Sequence, residues 1–205
     1  DCLLSRGLGD VYKRQPQTRY RAIWEESGLE EILFQYPDNT KASYDLDTQL
    51  EIAGQEGVNH TKNGVRNMRR WYTEIPALRA AYPDLQVLSC HDEYLLPTMF
   101  DVDGLLVGYG NIAPELLVDL IEAGKARDYA AAHAIHERLL PITKAVYHRG
   151  SHMEGTVALK WGLVNRGILD HATVREPLLP LPAGADAEVA AAFASADLST
   201  VTVPA

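Results

Sequence analysis

Short apolar runs alternate with stretches of helical periodicity along the chain from Pro16 onward. Four apolar runs have the length and composition of strands: residues 31–36, 58–62, 85–89 and 105–109. The first of them reads as a buried strand, stopped by a proline. Between and after these runs, apolar positions recur at the spacing of amphipathic helices, at residues 20–27, 45–53, 67–82, 95–100 and 113–123.

This alternation predicts an α/β fold with a parallel sheet and right-handed crossovers. The pattern changes after residue 125, where helical stretches at 128–146 and 155–165 follow each other without a strand between them. A proline-rich segment and a last helix at 185–196 complete the chain. We therefore expect barrel-like units over residues 16–125, a helical region over 126–182, and a final helix with a loose tail over 183–205.

Residues 1–15 read as an artefact of sequencing. The string SRGLGDVYKRQ, residues 5–15, back-translates codon by codon into a sequencing-library transposon adapter, so these residues are excluded from the interpretation of the fold. The 205 residues are also too few for a complete eight-stranded barrel, which takes about 250 residues. We expect a fragment holding about the last four strand–helix units, inactive alone and prone to aggregation at its open sheet edges.

Composition narrows the class of protein. A formal charge of −9 argues against a nucleic-acid partner, because phosphate binding needs concentrated Lys and Arg. The densest basic stretch, Arg66, Arg69 and Arg70, has helical spacing and indicates a solvated helix face. No apolar run approaches the roughly 18 residues of a membrane span. Two cysteines and no secretory signal favour a reducing cytoplasm.

Lys62 is the most informative candidate for chemistry, because it lies at the predicted end of a strand. Desolvation there disfavours the charged form of the amine, and a neutral amine can attack a carbonyl to form a Schiff base. The alternative is a solvent-facing residue of a polar turn. His60 lies two positions earlier and faces the same side, so it is either a proton carrier or a core histidine bonded to a neighbour.

Other polar residues at the strand ends carry weaker signals. His91, Asp92 and Glu93 lack metal-site spacing and indicate a turn cluster, although a metal-assisted aldolase or hydrolase using His60, His91 and Asp92 is an open alternative. Cys90 has no sequence sign of an activated thiol and reads as a small buried residue.

Four segments resemble, in order and spacing, the C-terminal part of the dihydrodipicolinate synthase / N-acetylneuraminate lyase family of class I aldolases. They are EILFQYPDNT, TKNGVRN, LQVLSCHDEYLLPTMFDVDGLLVGYGNIAPE, and EGTVALKWGLVNRGI with the PLLPL that follows. The resemblance covers nearly all of residues 28–181 and places Lys62 on the family's Schiff-base lysine. It implies part of a TIM (β/α)8 barrel with a C-terminal helical region, assembled as a homo-tetramer.

The resemblance also implies the chemistry. A lysine imine captures pyruvate or another 2-oxo acid for aldol cleavage, condensation or dehydration, without a metal or another cofactor. Cys90 falls beside the substrate, His91 follows it in the same pocket wall, and Leu106 flanks the lysine.

Two positions depart from the family pattern. Phe34 stands where the family has a relay tyrosine, and Tyr36 is expected to point to the opposite face of the strand. Asn39 replaces an arginine that clamps a carboxylate in many dihydrodipicolinate synthases. These departures favour a divergent sugar-acid dehydratase or lyase with His60 or water moving protons. A non-catalytic paralogue with a degraded site is the alternative.

Overall fold

A computed structural model describes the backbone over residues 2–41, 43–198 and 200–201, and the side chains of these residues from position 15 onward except at position 39. Packing divides the chain into two compact units. The first comprises Asp1–His91 and Asp101–Gly104, and the second comprises Asp92–Phe100 and Leu105–Ala205. These units do not coincide with the segments 16–125 and 126–182, which stay predictions.

The first unit is built on a parallel sheet. Its strands are β1 (Glu31–Gln35), β2 (Val58–Asn63) and β3 (Gln86–Ser89), and a two-residue β4 (Gly104–Leu105) begins at its last residue. The strands lie side by side in chain order, and β1, β2 and β3 run parallel. The α/β prediction with a parallel sheet is confirmed, and the described residues form four strands in this sheet.

Helices α1 (Cys2–Ser27), α2 (Pro37–Thr40), α3 (Leu46–Ala53) and α4 (Met68–Ala81) alternate with these strands. Asp45 and Asn67 begin α3 and α4 as N-caps, each accepting a backbone N–H from the first turn. Gly28 ends α1 with a φ of +64°, a conformation that glycine adopts without strain. Pro76 lies inside α4, which continues through it.

The two faces of the sheet differ in burial. Leu33, Thr61 and Val87 are fully buried, and Leu33 packs with Ile52 of α3. On the opposite face, Ile32 and Phe34 are each 41% exposed. The expectation that 31–36 is a buried strand is therefore wrong for one face, because successive side chains of a strand point to opposite sides. Tyr36 lies beyond the strand end.

The predicted strand over 105–109 is wrong beyond Leu105. Asp103 completes the edge of β3 instead, since its N–H donates to the Val87 carbonyl at 2.8 Å and its carboxylate accepts the Val87 N–H at 2.7 Å. The glycine-rich stretch Gly108–Asn111 then forms a 3₁₀ turn. Glycine weakens a strand, which explains why the chain turns where Gly108 interrupts the apolar run.

The second unit is helical. It contains α5 (Leu95–Thr98), α6 (Pro114–Lys125), α7 (Tyr129–Ile142), a π-helical turn (Thr143–Tyr147), α8 (His152–Asn165) and α9 (Ala185–Ser195). These elements bury one apolar cluster that includes Leu120, Leu139, Ala158 and Phe193. The predicted helices after residue 125 are thus present. No helix within the described residues is both long and apolar enough to cross a membrane.

The contacts of Asp103 at the edge of β3 are expected to stabilise the fold. Replacing Asp103 with Ala removes the carboxylate that accepts the Val87 N–H and pairs with Arg79 at 2.8 Å. Because bonds to a charged group contribute more than neutral ones, we expect the free energy of unfolding to fall by about 2 kcal/mol in urea titrations. The matched change Asp84→Ala, at an exposed position, is expected to alter it by less than about 0.5 kcal/mol. Equal losses for the two variants would contradict this role of Asp103.

Candidate functional site

The register of the parallel strands sets two rows of side chains on the half-exposed sheet face. Phe34 of β1 pairs with Lys62 of β2, and Lys62 pairs with Leu88 of β3. His60 belongs to the preceding row, where it pairs with Ile32. Because paired residues of parallel strands and residues two apart share a face, Lys62 and His60 point to the same side. This is the arrangement that their spacing predicts.

The Lys62 amine lies over the ring of Phe34. Its Nζ is 4.5 Å from the ring centroid, within the range of a cation–π contact. The lysine is half-buried at the carboxyl end of β2, the end at which parallel barrels carry their active sites.

Tyr36 lies next to Phe34, and the expectation that it points to the opposite face is wrong. The two ring centroids are 5.8 Å apart with an interplanar angle of 30°. The strand ends at Gln35, and Tyr36 has a φ of −148° and a ψ of 58° as the residue before α2. Residues two apart along an extended chain share a face, so alternation itself places Tyr36 beside Phe34, and the expectation misapplied that spacing. Pro37, the first residue of α2, is the sequence signal that the strand ends before it.

Arg66 packs against the ring of Tyr36. Its guanidinium carbon lies 4.8 Å from the centroid of the Tyr36 ring. The prediction that Arg66 shares a solvated helix face with Arg69 and Arg70 is wrong, because Asn67 caps α4 and leaves Arg66 in the loop before it. That asparagine, a preferred N-cap residue, is the signal that could have placed Arg66 outside the helix.

Backbone carbonyls fix the guanidinium of Arg66. Its Nη1 donates to the carbonyls of Gly64 at 2.8 Å and Cys90 at 2.9 Å. Gly64 has no room for a side chain, because an added Cβ would lie 2.9 Å from both Tyr36 Cδ2 and Arg66 Nη1. Four side chains thus form one stack, which we call the cation–aromatic stack: Lys62, Phe34, Tyr36 and Arg66.

Cys90 and His91 follow β3, and their side chains are buried. Cys90 is not part of a disulfide within the described residues, and its backbone carbonyl accepts a hydrogen bond from Arg66. The His91 ring is fully buried, with Nε2 donating to the Val65 carbonyl at 2.8 Å and Nδ1 at 3.1 Å from the Ser89 hydroxyl. Ser89 pairs with Asn63, in a row that faces the helices rather than the face of Lys62. His91 therefore belongs to the core, which corrects its expected place in the pocket wall.

The predicted site roles of Asn39, Leu106 and Asp92 stay predictions. The side chain of Asn39 lies outside the described residues, and its backbone belongs to α2. Leu106 belongs to the second unit, where it is 40% exposed. Asp92 also belongs to the second unit and accepts the Tyr109 N–H at 3.1 Å.

Two buried phenols accompany Asp92 in the second unit. Burial raises the pKa of Tyr109 and of Tyr147 above the usual range, and the nearby Asp92 carboxylate raises both further. Both phenols therefore stay protonated at physiological pH. Among the described residues, no three His, Cys, Asp or Glu side chains lie close enough together to hold a metal ion.

A family model and a curated relative both match this chain to the same family. The sequence model of the dihydrodipicolinate synthetase family matches residues 11–196. A 4-hydroxy-tetrahydrodipicolinate synthase of Neisseria meningitidis is 29% identical over 175 residues, which are 85% of this chain and 57% of that protein. The chain therefore spans little more than half the length of this relative.

The chain is also similar to a probable aldolase and to a protein of known crystal structure. The probable 2-dehydro-3-deoxy-D-pentonate aldolase YjhH of Escherichia coli is 30% identical over 142 residues, covering 67% of this chain and 46% of that protein. The crystal structure of YagE, an E. coli prophage protein of the dihydrodipicolinic acid synthase family in complex with pyruvate, superposes with a TM-score of 0.79 at 21% identity. That match covers 91% of this chain and 62% of YagE, and it shows a shared fold.

The two histidines near the strand ends are expected to differ in their effect on stability. His91→Leu leaves the Val65 carbonyl without its ring donor in the core, so we expect the free energy of unfolding to fall by about 1–3 kcal/mol in urea titrations. His60→Leu, at a half-buried position on the open face, is expected to change it by less than about 0.5 kcal/mol. A larger loss for His60→Leu would contradict the assignment of His91 to the core.

Proposed function

Because the chain belongs to the dihydrodipicolinate synthetase family, we propose that the complete protein is a lyase in which Lys62 captures a 2-oxo acid as a Schiff base. The observation that carries this proposal is the position of the Lys62 amine, at the carboxyl end of β2 on a half-exposed sheet face. An amine there can reach a bound carbonyl compound. In the proposed role the lysine itself supplies the covalent chemistry, and neither metal nor another cofactor is required.

We propose that β1 to β4 are about the last four units of a (β/α)8 barrel, with residues 126–182 as its helical region. Parallel strands that neighbour each other in chain order support this arrangement. An open doubly wound sheet would reverse its strand order at a switch point. Assembly of the complete protein as a homo-tetramer in the cytoplasm is proposed from the family resemblance alone.

The proposed reaction uses the imine as an electron sink. The carbonyl carbon of the 2-oxo acid bonds to the Lys62 nitrogen, and the carbonyl oxygen leaves as water with two protons from that nitrogen. One proton and the positive charge stay on the iminium. The iminium then accepts the electrons of a bond on the third carbon and becomes an enamine: the bond to the fourth carbon breaks in aldol cleavage, and a C–H bond breaks, with the proton passing to a base, in condensation or dehydration.

A 2-keto-3-deoxy sugar acid is the proposed substrate class, with pyruvate as the smaller 2-oxo acid. YjhH is named as a probable aldolase of a 2-dehydro-3-deoxy-D-pentonate, and YagE is described with pyruvate. Phe34 lacks the hydroxyl of a relay tyrosine, and Asn39 is not an arginine, so both departures favour a reaction other than dihydrodipicolinate synthesis. His60 or water is proposed to carry the proton.

A metal-assisted reaction by His60, His91 and Asp92 is less well supported, because both ring nitrogens of His91 have partners. A non-catalytic paralogue remains a separate alternative. It predicts no turnover of any 2-keto-3-deoxy sugar acid by the complete protein.

The Schiff base can be trapped chemically. Borohydride reduction of the complete protein with pyruvate is expected to add pyruvate at Lys62, as read by peptide mass spectrometry. The adduct is expected to vanish in Lys62→Ala and persist in Lys125→Ala, a change at an exposed lysine of α6. An adduct on another lysine, or none in the unsubstituted protein, would contradict the proposal.

The role of His60 can be separated from that of Lys62. In His60→Gln we expect turnover of 2-keto-3-deoxy sugar acids to fall by at least about tenfold, because a positioned acid–base group contributes that much or more. Borohydride trapping at Lys62 is expected to stay within about twofold, since imine capture uses the amine. Gln86→Ala, in the same row of the sheet, serves as the control. Unchanged turnover in His60→Gln would assign the proton transfer to water.

A further inference from the structure

The nitrogen of Lys62 faces an aromatic ring at the position where the family pattern has a hydroxyl-bearing one. Nζ lies 4.5 Å from the centroid of Phe34, which its in-register pairing with Lys62 places on the same side of the sheet. A phenylalanine here keeps the partial negative charge on the face of a tyrosine ring and loses only the hydroxyl.

The ring is held in this orientation by the rest of the cation–aromatic stack. Tyr36 packs behind Phe34 with its centroid 5.8 Å away, in the range of offset aromatic pairs. Arg66 lies 4.8 Å from the Tyr36 centroid and is itself fixed by two backbone carbonyls. Phe34 therefore presents a fixed ring face to Lys62.

We propose that Phe34 is a positioning residue whose ring face stabilises the positive charge on the Lys62 nitrogen both before and after the imine forms. For the imine, the inference rests on the proposed function. For the lysine before substrate binds, it rests only on the contact between Nζ and the Phe34 ring. The overall step converts a charged amine and a carbonyl into an iminium and water, so one positive charge lies over the ring at its start and at its end. The neutral amine and the neutral carbinolamine between them lose the contact.

Two consequences follow for the reaction. Capture gives up this contact, because the amine that attacks the carbonyl is neutral. The iminium persists for longer, because its hydrolysis passes through the neutral carbinolamine. A persistent electron sink suits a site in which Phe34 cannot relay a proton.

The test weakens the negative electrostatic potential on the ring face of Phe34 while leaving the shape of the side chain nearly unchanged. Phe34 is replaced in the complete protein by 4-fluoro-, 3,5-difluoro- and 3,4,5-trifluorophenylalanine, which withdraw electrons from the ring face stepwise. Labelling of Lys62 by acetic anhydride at one mildly alkaline pH is measured against Lys125, an exposed lysine in the same sample. We expect labelling of Lys62 to rise steadily, by roughly two- to fivefold at the trifluoro ring.

A second measurement on the same variants separates the ring–nitrogen contact from substrate packing. The pyruvate concentration for half-maximal borohydride trapping is expected to stay within about twofold, because the charge over the ring is the same before and after capture. Ile32→Leu, two residues earlier on the same face and equally exposed, is expected to change neither quantity.

Other outcomes overturn the proposal. Labelling that stays flat across the fluorinated series shows that the ring does not stabilise the nitrogen. Flat labelling with weakened pyruvate trapping assigns the ring to substrate packing instead. If the unsubstituted protein forms no adduct, the proposed function fails, and the labelling series still decides whether the ring stabilises the charged lysine.

Discussion

The parallel register of β1, β2 and β3 is the constraint on which the candidate site depends. It pairs Phe34 with Lys62 and Lys62 with Leu88, so these side chains meet on one face of the sheet. A slip of one residue in β2 would turn Lys62 toward the helices and bring the fully buried Thr61 to the open face. Burial of Leu33, Thr61 and Val87 opposes that slip, so the hydrophobic core sets the geometry of the amine.

The arrangement of elements could be predicted from sequence because apolar periodicity reports burial directly. Three of the strands and the helices from α3 onward lie close to the predicted positions, and Asp45 and Asn67 cap their helices as their residue types suggest. In contrast, α1 begins at Cys2 rather than at residue 20, and α2 has no predicted counterpart. The fourth strand was predicted too long. Its apolar residues do not reveal that Asp103 already satisfies the edge of β3 through its backbone and carboxylate. The Asp103 carboxylate accepts a backbone N–H that a neighbouring strand would otherwise bond, and such a contact leaves no trace in the periodicity of apolar residues.

The site was only partly predictable, for a related reason. Lys62 and His60 share a strand, so their spacing fixed their common face. Arg66 lies just outside α4, where helical periodicity no longer indicates where a side chain points. Tyr36 lies one residue beyond β1, and its spacing of two from Phe34 already indicates that both rings share a face. His91 shows the converse case, since its ring forms bonds to Val65 and Ser89 that local sequence does not indicate. Contacts between loops of different strands arise only when the sheet brings those loops together.

The most direct test of Lys62 as the reacting amine is a crystal structure of the complete protein soaked with pyruvate. We predict continuous electron density from Lys62 Nζ to the second carbon of pyruvate, with the Phe34 ring facing that nitrogen. Pyruvate bound without a covalent link, or linked to a different lysine, would contradict it.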